Sequence, residues 1–180
     1  NAQQKLSIEI LKQNGEILIF DIEKDQTESL GIIFASECFD GMRKCKNNCT
    51  FCFIKGLPAG LRKTLYIRDD DYRHSFLYGN YITLTNLGWE ELRRIAKLKL
   101  SPLYVSVHTT NDNLRSKMMG TSAAKNLYQK LAFLINAGIT VHTQAVLCPG
   151  INDGYELDDA IKTLAGLYPG VASFAVVPVG

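Results

Sequence analysis

The sequence predicts an α/β fold, and two observations support this. From about residue 39 onward, short runs of apolar and β-branched residues alternate with amphipathic segments of helical spacing. Strands that alternate with helices form parallel sheets through βαβ crossovers. The predicted strands also alternate between polar and apolar residues, so each has one polar side. We therefore expect a partial (β/α) barrel preceded by a β-hairpin.

The hairpin is predicted from the first part of the chain. Residues 6–10 alternate between apolar and polar side chains, and Asn14-Gly15 follows, a strong signal for a hairpin turn. Residues 16–23 then form the second strand, and residues 31–34 are predicted as a further short strand. A lone hairpin is marginally stable in water. We expect it to pack on the next domain or on residues absent from this chain.

The barrel elements follow in a regular order. The expected strands are residues 42–44, 81–85, 103–108, 139–147 and 171–179. The expected helices are residues 69–78, 89–100, a segment around 127–135, and a segment after Asn152 or Asp153, either of which can act as its N-cap. The three aspartates at 69–71 are expected to be a solvated helix start, because carboxylates favour helix N-termini.

Polar side chains share one side of the predicted strands. These are Thr83, Thr85, Tyr104, Ser106, His108, His142 and Gln144. Helices cover the apolar sides, so the polar sides face the lumen, which then resembles a ligand cavity rather than an apolar core. Sites in such folds lie at the C-terminal strand ends. Two simpler readings stay open: the histidines are hydrogen-bonded lumen residues without a catalytic role, and the hydroxyls only satisfy backbone groups.

Three cysteines, Cys45, Cys49 and Cys52, have the spacing CxxxCxxC on one short loop. A 4Fe–4S cluster normally has four cysteine ligands, so three leave one iron open to a small molecule. A structural zinc site is the alternative, with Cys38 as the natural fourth ligand. A fully ligated cluster for electron transfer is a third reading. Cys148 is expected to be a buried small side chain.

Composition limits the class of protein. The chain has 180 residues, 46% of them hydrophobic and 21% charged, enough for one domain or slightly more with a core. Its net charge of +2 does not indicate nucleic acid binding. No apolar run reaches membrane-spanning length, and the first residues do not resemble a signal peptide. Clustered cysteines indicate reduced thiols and a cytoplasmic protein.

Four stretches resemble a known family: CKNNCTFCFIKGLPAGLRKTLYIRDDDYRHSFLYGNYITLTNL, LSPLYVSVHTT, VHTQAVLCPGINDG and VVPVG. They are similar to bacterial proteins that join a PDZ-like domain, a radical S-adenosylmethionine (SAM) domain and a C-terminal domain of unknown function, classed as iron–sulfur oxidoreductases. The resemblance implies that residues 1–35 are the remnant of a PDZ-like domain. Residues 36–180 would be an incomplete radical SAM barrel that stops after about its fifth strand. The chain starts without Met and ends directly after a strand, so we expect missing parts of the natural chain to cover the hairpin and the last strand.

The resemblance also implies cofactors and site residues. A 4Fe–4S cluster would be held by Cys45, Cys49 and Cys52, and would cleave SAM reductively so that hydrogen is abstracted from an unknown substrate. The family implies that SAM is bound by two groups of residues near the adenine, Phe51 with Phe53 and Val177 with Pro178. Near the ribose or carboxylate it implies Ser106, His108 and Gln144. Thr85 and Asn86 stand where the family usually has the Gly-Gly-Glu run that binds the SAM amino group. The resemblance names no catalytic residue. It implies a reductant such as flavodoxin or ferredoxin.

Overall fold

A computed structural model describes residues 3–34, 38 and 40–180 of the chain. The chain divides into two compact units, Asn1–Phe39 and Asp40–Gly180. The domain boundary predicted between residues 35 and 36 lies outside the described residues. No helix in the described part of the chain has the length and apolarity needed to cross a membrane.

The first unit contains an antiparallel hairpin of two strands, β1 (Gln3–Leu11) and β2 (Ile17–Asp25). The turn lies at the predicted Asn14-Gly15 pair, where Gly15 has φ +84°. The Asn14 side chain accepts a hydrogen bond from the Glu16 N–H at 3.1 Å. The strand predicted at residues 31–34 is wrong. This segment is exposed and pairs with no strand among the described residues, and an extended segment without a hydrogen-bonding partner forms no sheet.

The second unit is an α/β structure, which confirms the predicted fold class. Its sheet has four parallel strands in the order β3 (Tyr81–Ile82), β4 (Leu103–Ser106), β5 (Val141–Leu147) and β6 (Val171–Pro178). Its helices are α1 (Phe53–Gly56), α2 (Tyr72–Tyr78), α3 (Trp89–Leu98), α4 (Asp112–Met119), α5 (Leu127–Asn136) and α6 (Tyr155–Ala165). Two 3₁₀ turns lie at Lys63–Tyr66 and Ser122–Ala124. The partial barrel stays a prediction.

Two strand predictions in this unit need correction. Residues 42–44 form no strand; only Lys44 makes an isolated antiparallel bridge, to Asp69. As a result, β6 is the fourth strand of the described sheet rather than the fifth. Strand β3 is shorter than the predicted 81–85, because the Thr83 N–H donates to the Asp70 carboxylate instead of a neighbouring strand. Leu84 then has φ +59°, which ends the extended conformation.

The predicted division of strand faces is confirmed. In β4 and just beyond it, Leu103, Val105 and Val107 are fully buried, whereas Tyr104 and Ser106 are half-buried. The buried side chains form one core with apolar residues of α3, α5 and α6: Leu92, Ile95, Leu127, Leu131, Leu134 and Leu164. Burial of each such side chain contributes about 1.5–3 kcal/mol. The sheet therefore has one face covered by helices and one polar face.

Helix α4 is absent from the sequence prediction. It begins after Asn111, whose side chain accepts hydrogen bonds from the N–H groups of Asn113 and Leu114. This cap is a recognisable signal, since asparagine is among the preferred N-cap residues. The helix ends at Gly120, which has the left-handed conformation typical of a C-cap.

The predicted caps of α6 are wrong. The helix begins at Tyr155, and its N-cap is Gly154. Asn152 and Asp153 instead accept hydrogen bonds from backbone N–H groups of the preceding turn, at Cys148 and Gly150 respectively. Both side chains therefore hold the loop between β5 and α6. Cys148 is buried, as expected.

Candidate functional site

The cysteine loop, residues 45–52, lies against the C-terminal end of α4. The N–H of Asn48 donates to Met119 O at 2.9 Å, and the N–H of Thr50 donates to Met118 O at 3.0 Å. These carbonyls belong to the last turn of α4, where backbone acceptors have no partner within the helix. Gly120 makes this contact possible, since a Cβ built there would lie 2.7 Å from Asn48 O. The C-terminal end of helix α4 therefore supports the loop.

The start of the loop is attached to the segment that precedes α2. The N–H of Cys45 donates to Arg68 O at 2.7 Å. The Arg68 guanidinium in turn donates to Asn47 O and lies with Nη2 3.7 Å from Cys45 Sγ. Burial raises the pKa of Cys45, and the neighbouring Arg68 cation acts against this by favouring the thiolate form.

The three thiols of the loop are free, half-buried and close enough to interact electrostatically. Burial, followed by the neighbouring thiols of Cys45 and Cys52, raises the pKa of Cys49 to about 11. Arg68 acts in the opposite direction on the same thiol. At the end of the loop, Cys52 is the N-cap of α1, and its N–H donates to Cys49 O at 3.4 Å. That turn accounts for the closeness of the last two cysteines.

His108 connects the loop to the C-terminal end of β4. Its ring centroid lies 4.5 Å from that of Phe51. Its Nδ1 accepts a hydrogen bond from the Val146 N–H at 3.2 Å, so the neutral ring carries its proton on Nε2. Burial, together with the charge of Arg115, lowers the pKa of His108 to about 3. We conclude that His108 is a neutral, fixed ring beneath the cysteine loop.

The backbone of His108 is strained, with φ +65°. The Asn152 side chain stabilises this conformation, because its Nδ2 donates to His108 O at 2.8 Å and to Val146 O at 2.9 Å. Strain of this kind persists only where the surroundings hold it, and it is frequent at functional sites.

The polar face of the sheet has two layers. At the N-terminal ends of the strands, four residues are neighbours in register: Tyr81, Tyr104, His142 and Ser173. The Tyr104 and His142 rings stack at 4.8 Å, and His142 Nδ1 lies 2.8 Å from Ser173 Oγ. One layer higher, Ser106 pairs with Gln144. The aromatic layer therefore forms a floor below the smaller polar side chains.

A family model described as a Radical SAM-like domain matches residues 24–174. The chain belongs to the Radical SAM-like domain family. Members of this family typically bind a 4Fe–4S cluster and SAM. No curated protein matches the sequence closely enough to count as a relative.

The structure brings several predicted site residues of this radical SAM-like chain together. Phe51 contacts His108, and Ser106 and Gln144 are half-buried neighbours on the polar face. Val177 is half-buried and pairs with Val146, the residue whose N–H donates to His108. Phe53 differs, since it is 77% exposed.

Thr85 and Asn86 follow β3 at the same end of the sheet. The Thr85 hydroxyl donates to Asn47 Oδ1 at 2.9 Å, so it contacts the cysteine loop. Asn86 Nδ2 donates to Asp70 O at 2.9 Å. Both residues also border an open cavity of about 420 Å³, together with Lys125 and other residues. Thr85 therefore supports the loop, and Asn86 binds the segment that contains the aspartates.

The aspartates are not the solvated helix start predicted from the sequence. Asp70 and Asp71 are 1% and 0% exposed. Asp71 is the N-cap of α2 and pairs with Arg73, and it accepts a hydrogen bond from the Arg43 N–H at 2.9 Å. These hydrogen bonds outweigh burial, and the pKa of Asp71 falls to about 2. Burial dominates at Asp70 and raises its pKa to about 6.

The donor chemistry of the loop fits an iron–sulfur cluster. Three free thiols lie on one loop, and burial disfavours their charged form unless a cation compensates. Asn47, also on the loop, is 4% exposed, and its Nδ2 has no hydrogen-bond partner among the described residues. The structure does not bring the three predicted ligands together as a metal site: across residues 3–34, 38 and 40–180, no three His, Cys, Asp or Glu side chains, the loop cysteines included, are grouped to hold a metal ion.

Arg115 is a site-supporting residue that sequence reasoning missed. It lies on α4, is 1% exposed, and donates hydrogen bonds to the backbone carbonyls of Thr83, Ser106, Val107 and Ala124 at 2.6–2.9 Å. It therefore ties together the C-terminal ends of β3 and β4. The cap signal at Asn111 could have revealed the helix, but not the inward direction of this side chain.

Proposed function

We propose that this chain is the core of a radical SAM enzyme, an iron–sulfur oxidoreductase in which Cys45, Cys49 and Cys52 hold a 4Fe–4S cluster. When bound, the cluster supplies an electron for reductive cleavage of SAM, which leads to hydrogen abstraction from the substrate. The observation that carries the proposal is the set of three free, half-buried cysteines on one loop, with Cys49 close enough to interact with the other two thiols. Membership of the Radical SAM-like domain family supports it.

The chain's own residues would bind and orient the cofactor. Gln144 is half-buried, and its side-chain amide makes no hydrogen bond to the described residues. It is free to donate to a carboxylate or a ribose hydroxyl from the layer above the aromatic floor. Ser106, its neighbour in register, offers a hydroxyl in the same layer. Phe51 offers an aromatic surface beside the loop, and the remaining family-derived positions, Phe53, Asn86 and Val177, keep their proposed roles at the adenine or the amino group.

Other residues would keep the site dry and in shape. His108 is a neutral ring, and its Nδ1 is already occupied by the Val146 N–H. It is therefore a support for Phe51 rather than a proton donor through Nδ1. Helices cover the apolar face of the sheet, so water has no access to the strands from that side. A low-potential electron donor such as flavodoxin or ferredoxin would supply the electron. The proposal also includes a PDZ-like region at the start of the chain and a partial barrel after it.

Anaerobic reconstitution of the 180-residue chain tests this proposal. We expect a brown protein with iron and sulfide, and an electron paramagnetic resonance signal of the reduced cluster that changes when SAM is added. Single Cys45→Ala, Cys49→Ala and Cys52→Ala variants should lose the cluster. Cys148→Ala is the matched control, since this buried cysteine lies outside the loop.

Two results would contradict the proposal. A signal unchanged at saturating SAM would favour an electron-transfer module. A colourless protein that binds zinc, and that loses it in Cys38→Ala as in the three loop variants, would favour a structural zinc site. Cys38 is a buried cysteine of the first unit. A radical SAM site needs three cysteines only, so Cys38→Ala should retain iron.

A further inference from the structure

A chain of hydrogen bonds links a buried carboxyl group to the cysteine loop. Asp70 Oδ2 lies 2.7 Å from Thr83 Oγ1. Thr83 Oγ1 lies 2.8 Å from Thr85 Oγ1, which lies 2.9 Å from Asn47 Oδ1. Asp70 is 1% exposed and Asn47 is 4% exposed, so the two ends of the chain are shielded from water. Asn47 lies between Cys45 and Cys49 in sequence, so the chain ends inside the proposed metal-binding loop.

The hydrogens in this chain can be counted. Each of its three oxygen–oxygen contacts needs one hydrogen. Thr83 and Thr85 supply one hydroxyl hydrogen each, and Asn47 presents its carbonyl oxygen, which supplies none. The third hydrogen must come from Asp70. The arrangement is then complete: Asp70 donates to Thr83, Thr83 to Thr85, and Thr85 to Asn47.

The remaining contacts agree with this direction. Asp70 Oδ1 accepts a hydrogen bond from the Thr83 N–H at 2.6 Å, which leaves Oδ2 to carry the proton. The N–H of Thr85 donates to Thr83 Oγ1 at 3.3 Å. Thr83 Oγ1 thus accepts twice and donates once, which uses its full hydrogen-bonding capacity.

We propose that Asp70 is a positioning residue whose protonated carboxyl, acting through Thr83 and Thr85, holds Asn47 with its carboxamide nitrogen free inside the cysteine loop. The role of residues 45–52 as a metal-binding loop rests on the proposed function, whereas the hydrogen-bond chain itself does not. An ionised Asp70 would reverse every link. Thr83 would donate to Asp70, Thr85 to Thr83, and Asn47 would have to turn its amide so that Nδ2 donates to Thr85.

The surroundings of Asp70 favour the neutral carboxyl. Burial is the largest cause that raises its pKa, and the neighbouring Asp69 acts in the same direction. The hydrogen bonds with Thr83 act against this, as do the cations that face Asp70, Arg115 on α4 and Lys130 on α5, but burial outweighs them. Cys45 also feels its charge, and an ionised Asp70 would oppose the thiolate there. A neutral Asp70 therefore suits a loop that must hold several thiolates.

The protonation of Asp70 would set which group Asn47 offers to the site. With the proton present, Asn47 Nδ2 is the unpaired atom, and it is a donor. Donors near the sulfurs of an iron–sulfur cluster influence its reduction potential. With the proton lost, the acceptor Oδ1 takes that place, and a donor to anionic sulfur is replaced by a group that repels it.

The test compares Asp70→Asn with Asp70→Ala in the 180-residue chain. Asparagine can keep Oδ1 as acceptor from the Thr83 N–H and donate from Nδ2 to Thr83 Oγ1, so it mimics the neutral carboxyl. We expect Asp70→Asn to keep the thermal midpoint of the wild type below pH 6, where the wild-type carboxyl is protonated, whereas Asp70→Ala and Thr83→Val lower it. Below pH 6, infrared difference spectra of the wild type should contain a buried protonated-carboxyl band that Asp70→Asn lacks.

A second measurement uses the loaded protein. The cluster's reduction potential should shift with pH around 6 in the wild type and stay constant in Asp70→Asn, a response that a purely structural role does not produce. The proposal is overturned if Asp70→Asn lowers the thermal midpoint as much as Asp70→Ala, or if no protonated-carboxyl band appears. The infrared and thermal measurements need no metal. A chain that takes up no iron but has the band would contradict the proposed function and leave this inference standing.

Discussion

Replacing Gly120 with alanine should disturb the cysteine loop more than it disturbs the fold. Gly120 has φ +63°, and left-handed backbone costs a residue with a Cβ about 1–2 kcal/mol. The new Cβ would lie 2.7 Å from Asn48 O and 2.9 Å from Asn48 Cβ. Such overlap in a packed region costs about 1–3 kcal/mol more, unless the loop moves away. Movement would break the 2.9 Å hydrogen bond from the Asn48 N–H to Met119 O.

Gly79→Ala is the matched control for this experiment. Gly79 is also a left-handed C-cap, with φ +76°, but a Cβ there would make only an ordinary contact of 3.4 Å with the Tyr104 ring. Iron and sulfide per chain after reconstitution, together with the thermal midpoint, should be measured for both variants. We expect Gly79→Ala to lose about 1–2 kcal/mol of stability and keep its iron. Gly120→Ala should bind clearly less iron, and equal iron content in the two variants would refute the docking of the loop on α4.

Three further predictions follow from the buried groups. Arg115→Leu leaves four backbone carbonyls without the Arg115 donor and should lower the free energy of unfolding, measured with denaturant, by about 3–5 kcal/mol. Arg115→Lys should restore part of this stability. Equal losses of stability in the two variants would argue against the hydrogen bonds as the cause. Because the pKa of Asp70 is raised from 3.8 to about 6, its stabilising effect is full below pH 3.8 and is lost as the pH rises through 6. The difference in unfolding free energy between wild type and Asp70→Asn should therefore change by about 3 kcal/mol over this window, and a flat difference would contradict the shift. Val105→Asp should unfold the chain, since it buries a charge without a partner. Ser106→Leu, on the polar face, should keep the fold and weaken SAM binding. If the two variants behave alike, the assignment of the strand faces is refuted.

Local patterns predicted the parts of the structure that depend on neighbours in sequence. Asn14-Gly15 placed the hairpin turn, and the alternation in residues 103–108 separated buried Leu103, Val105 and Val107 from the polar face. Predictions failed where a strand needs a distant partner. Residues 31–34 and 42–44 have strand-like composition but lack a sheet neighbour among the described residues.

Side chains of the site depended even more on distant contacts. The same run of three aspartates supplied one helix cap, Asp71, and one buried carboxyl, Asp70, with pKa values near 2 and 6. Their one-letter pattern does not separate them, because the hydrogen bonds of Asp71 with Arg73 and Arg43 lower its pKa, whereas burial raises the pKa of Asp70. Arg115 likewise looks like a surface residue until its four carbonyl partners are known.

The sequence by itself determined the α/β class, the polar and apolar faces of the strands, and the three-cysteine loop, because periodicity and spacing are properties of a chain segment. Only the tertiary structure decided where that loop lies and what surrounds it. The contacts of Asn48 and Thr50 with α4, and of Asn47 with Thr85, join residues that are far apart in sequence. Burial and electrostatics at such contacts depend on all the segments that meet there, and for that reason the protonation of Asp70 and the docking of the cysteines are products of the folded chain.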